Sequence, residues 1–496
     1  MRASRFGFPV AVVVLAFLYL TRLIPGLYRT RIWEDEAFNM SVPVNLVHGL
    51  GYASSGLLTT GFLEPFDVRI STGPAVLFPI AAVLGTGIDP ALGGRAVMGA
   101  FAILLAVALY LVGARLSGRW GGLLAAATPL AFNAATPPSP IQGPTDILGE
   151  YPAAAFLVLS LLTISRRPFL SGVFVGLAIQ SKTLAVLSLP VLVLAAAFSP
   201  SALSPLKRLL RAVRLGLGAA VPVLLFELGK LLALGWTRYW ESTTDLFDFL
   251  SSGGQTGYLV SIGDKLKVLL ADWSLPPWLA VAATLVVAAT AIGYFALWVR
   301  RGRPPLDRQA TVLALTLLGL LAVWVGWWVL TRHDPAWIRH PTPGLLAAVP
   351  LLLAVWWRAI RSLSLGKERA RSLIRAVAAV AVVGVFAVQM VSQYRVLSEP
   401  PYYGTLSEQR AAAEALNRFP TTEVRGDWGM IVSVSFLAGR RPVMGGGSPE
   451  DPEAPWLIEA VDRSPAGVTR TRDLIEERCG RTVDRVGIYV FCEPRS

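Results

Sequence analysis

The strongest constraint on this chain is a series of apolar runs separated by short basic clusters. Phe8 to Ile24 is long enough to cross a bilayer core as a helix, and Arg95 to Leu116, Trp120 to Phe132, Phe169 to Phe198 and Thr311 to Leu330 repeat the pattern. Hydrophobic residues make up 54% of the 496 and charged ones 16%, with a mean hydropathy of +0.56; soluble domains are less apolar and more charged. The chain is therefore read as a polytopic membrane protein. Its net charge of +13 does not indicate nucleic acid. The Lys and Arg residues sit between apolar runs, where they set topology, and no basic stripe carries interleaved aromatics.

Arg2 and Arg5 precede the first run and place the N-terminus in the cytoplasm. No small-residue cleavage site follows, so the run is read as a retained anchor. Residues 25–72 then form a first outer loop, amphipathic and Gly-rich, with Trp33, Phe62 and Phe66 suited to the interface. A second outer loop is expected over 234–276, where Trp236, Tyr239, Trp240, Trp273 and Trp278 accompany Arg238, Lys265 and Lys267, a composition that suits lipid headgroups. Between the loops two topologies compete. If every apolar segment crosses, Arg115, Arg119, Arg166 and Arg167 fall outside. The sign rule prefers them inside, which makes Gly73 to Ile88, short and interrupted by Pro79, re-entrant or interfacial and leaves Asp146 and Glu150 on the outer face.

Residues 1–392 are read as the membrane domain and 393–496 as a small soluble α/β domain outside the membrane. A helix is expected over Ser407 to Arg418 and strands over Met430 to Leu437 and Val486 to Phe491, with Gly445 to Gly447 as a plain turn. Cys479 and Cys492 both lie in this domain, and in an oxidising compartment they would form one disulfide.

Chemistry concentrates just past the first anchor, in Arg31-Ile-Trp-Glu-Asp-Glu-Ala-Phe-Asn39. Adjacent carboxylates repel one another and raise at least one pKa unless a cation compensates. The bland alternative is a solvated acidic turn. Asp146 and Glu150, at one-turn spacing after a proline-rich stretch, are either a second acidic element or the start of a capped helix. Lys182, inside the Gln180-Ser-Lys-Thr183 break, must snorkel, pair or line a cavity. Glu227 and Lys230, at i, i+3, neutralise each other most simply. Arg339 and His340 end an outer turn, Thr331 to His340, whose cations suit a phosphate clamp or, more simply, a loop beside an aromatic girdle.

Together these stretches resemble the GT-C superfamily of polyprenol-phosphate-sugar-dependent glycosyltransferases, in the branch of protein O-mannosyltransferases and the bacterial lipid A aminoarabinose transferase. The resemblance covers roughly Arg5 to Leu353. Glu34-Asp35-Glu36-Ala37 is similar to the family's catalytic acidic motif after the first span, and Phe66-Asp-Val-Arg-Ile-Ser-Thr-Gly-Pro74 to the segment that supplies a cation before the second. Gly176-Leu-Ala-Ile-Gln-Ser-Lys-Thr183 resembles a Gly-Leu-Ala...Thr-Lys signature, with Ser181 in place of threonine. Asp146 stands where the family often has an aspartate, without the usual arginine before it. The resemblance implies an all-α bundle of about 11 to 12 membrane helices. It also implies transfer of a hexosyl or pentosyl group from a polyprenyl-phosphate-linked donor to a hydroxyl of a glycan, lipid or protein, with inversion, at the outer face of a prokaryotic cytoplasmic membrane.

That reaction needs a base and a stabiliser for the leaving phosphate. A carboxylate serves as base when its surroundings raise its pKa above about 3.9. Asp35 is the candidate, with Glu36 tuning it or helping to hold a divalent ion such as Mg2+ or Mn2+. Arg69, Arg339 and His340 are candidates for the phosphate, with Asp146, Glu150 and Lys182 as further substrate-binding candidates. No covalent nucleophile with its base is evident. The rival readings are a lipid or polysaccharide flippase, which would show paired halves and midplane charges that this chain lacks, and a non-enzymatic envelope scaffold, which leaves the acidic stretch without a task.

Overall fold

The computed structural model describes residues 3–59, 61–132, 143–199, 203–251, 261–265, 308–331, 339–362, 383–391, 404–444, 450, 452–459 and 465–495, with isolated helical positions at 285, 299, 376 and 380. The first span is α1 (Ala3–Tyr28). The loop after it contains a helix, α2 (Glu34–Val47), and a two-stranded hairpin of β1 (Ala53–Ser54) and β2 (Glu64–Pro65). Next comes α3 (Pro74–Leu84), only 11 residues and about 16 Å long, too short for a bilayer core. The expectation of a re-entrant or interfacial segment over Gly73 to Ile88 fits it.

Helix α4 (Pro90–Ala127) breaks at Gly118, whose φ of 74° reverses the chain. Gly122 then lies so close to the outgoing strand of the hairpin that a Cβ on it would come 2.6 Å from the Tyr110 carbonyl oxygen. Helices α5 (Glu150–Thr163), α6 (Pro168–Ile179) and α7 (Leu189–Phe198) are short and apolar. The long α8 (Pro205–Ser251) breaks at Gly235, which also has a φ of 74°, and returns Tyr239 to Lys230, with Nζ 5.7 Å from the ring centroid. Residues 236–251 are thus helical, where an outer loop over 234–276 was expected, because the glycine turn lets the aromatic stretch pack back on its own helix. Glu227 and Lys230 both meet Tyr239 there. Lys265, expected at headgroups, is buried instead, donating to the carbonyls of Trp328 (2.6 Å) and Thr331. Trp273, Trp278 and Lys267 lie outside the described residues.

Helices α9 (Arg308–Leu330) and α10 (Thr342–Ser362) complete the described bundle. Among the described residues five helices are long and apolar enough to cross a membrane, with shorter apolar helices beside them. Several of their arginines collect at one end. Arg119 stacks on Phe8 near the start of α1, Arg115 donates to the Leu162 carbonyl, Arg211 to those of Ile164 and Ser165, and Arg358 and Arg361 to those of Leu116 and Ser117. These arginines satisfy carbonyls left open at helix C-termini. Arg115 and Arg119 thus lie at the same end of the bundle as the start of α1, the grouping that the sign rule asks for.

At the opposite end sits the C-terminal α/β domain. It begins with α11 (Leu406–Leu416), whose Thr405 and Glu408 form a capping box. There follow β3 (Glu423–Gly426), α12 (Met430–Ala438), β4 (Arg441–Met444), β5 (Trp456–Glu459), α13 (Pro465–Arg478), β6 (Cys479–Val486) and β7 (Tyr489–Pro494) in a mixed sheet of order β4-β3-β5-β7-β6. Met430 to Leu437 was expected as a strand and is a helix: β3 and β4 run parallel, and a parallel pair needs a crossover. Val486 to Phe491 was expected as one strand and instead holds a hairpin turn at Gly487. Cys479 and Cys492 form a disulfide, Cα to Cα 5.5 Å. The glycines at 445–447 lie outside the described residues. One apolar cluster joins Ile32, Ala37, Phe38, Leu57 and Ala91 of the membrane part to Leu406, Met430, Ile431 and Tyr489.

Candidate active site

The acidic triplet forms the first turn of α2, where a helix dipole favours negative charge. At about 100° per residue the three carboxylates point in different directions, and each meets a different cation. Asp35 Oδ2 is 2.5 Å from Arg339 Nη1, whose guanidinium also lies over the Trp33 ring, 5.3 Å from its centroid. Glu34 is 3.7 Å from Arg31; burial raises its carboxyl above the ordinary value, against the pull of Arg31. Glu36 is fully buried and bound bidentately by Arg95, Nη2 to Oε2 at 2.9 Å and Nε to Oε1 at 3.2 Å. Its oxygens also accept from the backbone N–H groups of Trp33 and Ile147.

Arg95 is fully buried and donates to the carbonyls of Gly26, Thr30 and Arg31 besides Glu36, so all five of its N–H donors are engaged. It fixes the turn from α1 into α2. Its only sequence signal is a lone arginine at the start of an apolar run. Asn39, likewise not singled out by sequence, donates from Nδ2 to Thr72 Oγ1 and the Ile147 carbonyl, both at 3.0 Å.

The second acidic element packs beneath the first. Ile147 binds Glu36, as above, and Asp146 accepts the Gly143 N–H at 2.8 Å. The Asp146 carboxyl is pushed up to about 7, first by burial and then by the negative charge of Glu36, with Arg95 opposing. Glu150 opens α5 and lies 2.9 Å from Lys182, both buried. The Gln180–Thr183 break threads between two helix starts: the Gly73 N–H donates to the Ser181 carbonyl at 3.0 Å. A Cβ on Gly73 would come 2.1 Å from the Gln180 oxygen, and one on Gly149 the same distance from that of Ser181. Only glycine fits at either point, and the close approach brings Lys182 to Glu150.

The remaining candidates are separate. Arg69, 3.7 Å from Asp67, lines a cavity of about 250 Å³ with Phe66, Arg238, Glu241 and Asp245. Phe66 holds a positive φ of 52°, a strained conformation for an aromatic residue. His340 packs edge-on against Trp327. The oxygen donors offered for a divalent ion do not fit one as placed, since Asp35 faces Arg339 and Glu36 faces Arg95. Among the described residues no cluster of three or more His, Cys, Asp or Glu side chains is close enough to hold a metal.

No family model matches the chain, and a search of curated proteins finds no match either. Solved structures do match. ArnT from Cupriavidus metallidurans bound to undecaprenyl phosphate superposes with a TM-score of 0.60 at 14% identity, over 98% of this chain and 97% of that one. Its apo state gives 0.59 at 14% identity, over 99% and 98%. The Archaeoglobus fulgidus oligosaccharyltransferase tethered to an acceptor peptide gives 0.52 at 12% identity, over 99% of this chain and 74% of that one, and its complex with Zn and sulfate gives 0.51 at 12%, over 88% and 62%. The chain shares the polytopic fold of these proteins.

Proposed function

We propose that this chain is an integral-membrane glycosyltransferase that moves a sugar from a polyprenyl-phosphate-linked donor to an acceptor hydroxyl, at the membrane face opposite the basic helix ends. The observation that carries this reading is the Asp35–Arg339 pair. Its side chains are 17% and 7% exposed, so the pair is sheltered but reachable. A donor phosphate competes with Asp35 for the guanidinium, because both are anions suited to the same planar fork. Binding therefore frees the carboxylate as it seats the donor. Asp35 then takes the acceptor O–H proton while the oxygen attacks the anomeric carbon, the bond to the phosphate oxygen breaks, and Arg339 stabilises the charge left on the polyprenyl phosphate. Glu36 acts as a positioning group through Arg95. Glu150 and Lys182 hold the helix starts below. Arg69 and His340 are the further cationic candidates for donor contact, and Asp146 lies beside the acidic turn. ArnT, whose fold this chain shares, has been solved bound to undecaprenyl phosphate, which supports a lipid-phosphate donor.

The test uses purified protein with a polyprenyl-phosphate-sugar donor. Asp35→Asn is expected to lower turnover by about 10²- to 10⁴-fold with an unchanged melting temperature, and Arg339→Ala to raise the donor KM. Undiminished turnover by Asp35→Asn removes Asp35 as base.

A further inference from the structure

The structure assigns Gln409, in the C-terminal domain, as the positioning residue that holds the segment carrying Asp35. Among the described residues the segment from Arg29 to Trp33 has no sheet partner in the membrane part, yet its backbone is not left open. The Gln409 carboxamide takes both groups of Ile32, accepting its N–H through Oε1 at 2.6 Å and donating from Nε2 to its carbonyl at 2.8 Å. Gln409 and Ile32 are completely buried, so no water can substitute for these bonds. A carboxamide used this way imitates one residue of a β-strand. Around it Thr30 bridges Thr405, the Leu406 N–H donates to the Arg29 carbonyl at 3.0 Å, and Arg31 reaches the Met430 sulfur. Trp33, the next residue, is the N-cap of α2, and its ring lies under Arg339. Gln409 thus fixes the direction in which α2 starts, and with it the approach of Asp35 to Arg339.

This inference rests on Asp35 being the base, but hydrogen exchange tests the pin without using turnover. In Gln409→Leu, which matches the side chain in size without its polar groups, the amides of residues 29–36 are expected to exchange at least tenfold faster while those of α4 are unchanged. Equal exchange in the variant and the parent overturns the pin. With the polyprenyl-phosphate-sugar donor, kcat should fall by about 10- to 100-fold and donor KM stay within twofold; parental kcat overturns the positioning role. Gln409→Glu guards against a folding defect. Its ionised form accepts from Ile32 N–H but cannot donate to the carbonyl, whereas its protonated form does both. Its kcat relative to the parent should therefore rise as pH falls, and a flat ratio counts against the assignment. A parent without turnover would remove the transferase reading, and the exchange result would still decide the pin.

Discussion

The three carboxylates in the first turn of α2 show how little residue type alone determines role. Glu36, buried against Arg95 59 positions away, holds the turn, because breaking such a pair would leave a buried charge at a cost of about 3–5 kcal/mol. Asp35, one position earlier, pairs with Arg339 where both side chains keep some exposure, 17% and 7%. The sequence makes Asp35 conspicuous, since a carboxylate just past a span is rare, but it does not separate Asp35 from Glu36, because Arg95 carries no local mark. Asp146 offers a test by pH. Its folded value near 7 lies above the ordinary carboxyl value of about 4, so between those limits the folded protein retains a proton that the unfolded chain has released. The associated stability is complete below about pH 4 and is lost as pH rises through 7. Asp146→Asn, neutral throughout, should melt higher than the parent at pH 8, with the gap closing by pH 4 to 5; a gap independent of pH would contradict the raised value.

Among elements, the Gln180–Thr183 break is the most economical piece of construction. Lys182 was legible as a charge that must find a partner, but which partner depended on Gly149 and Gly73, whose close approaches belong to three segments at once. Gly149→Ala pushes a methyl carbon to 2.1 Å from the Ser181 oxygen, and the shift needed costs about 1–3 kcal/mol and moves Lys182 from Glu150. Lower melting temperature and lower turnover are expected, whereas Gly229→Ala, with nothing within 4 Å, should match the parent in both. The break at Gly118 was legible, because the runs Arg95 to Leu116 and Trp120 to Phe132 part there, and so was the end of a run near Gly235; the helix that follows Gly235 was not. Aromatic and charged residues after Gly235 read as a headgroup loop, since an amphipathic helix lying back on its own span has the same composition. The Met430–Ala438 helix was missed for a related reason: a short apolar run buried on all sides has no period to read.

At the scale of the whole molecule, the membrane bundle, its short third helix and the acidic turn after the first span were readable because hydropathy acts along the sequence. The docking of the C-terminal domain onto the loop after α1 was not, because it rests on contacts between segments distant in the sequence. The polarity of the bundle is open to single-cysteine labelling, since the two native cysteines are joined. A cysteine introduced at His48, exposed on the outer loop, should react with an impermeant maleimide from outside, and one introduced at Arg166 only after permeabilisation. Labelling of both from one side would refute the topology. The contact between Ile32 and Gln409 spans 377 positions of the 496. During synthesis the acidic turn precedes its brace by 377 residues, so the two can join only after the bundle between them has been made.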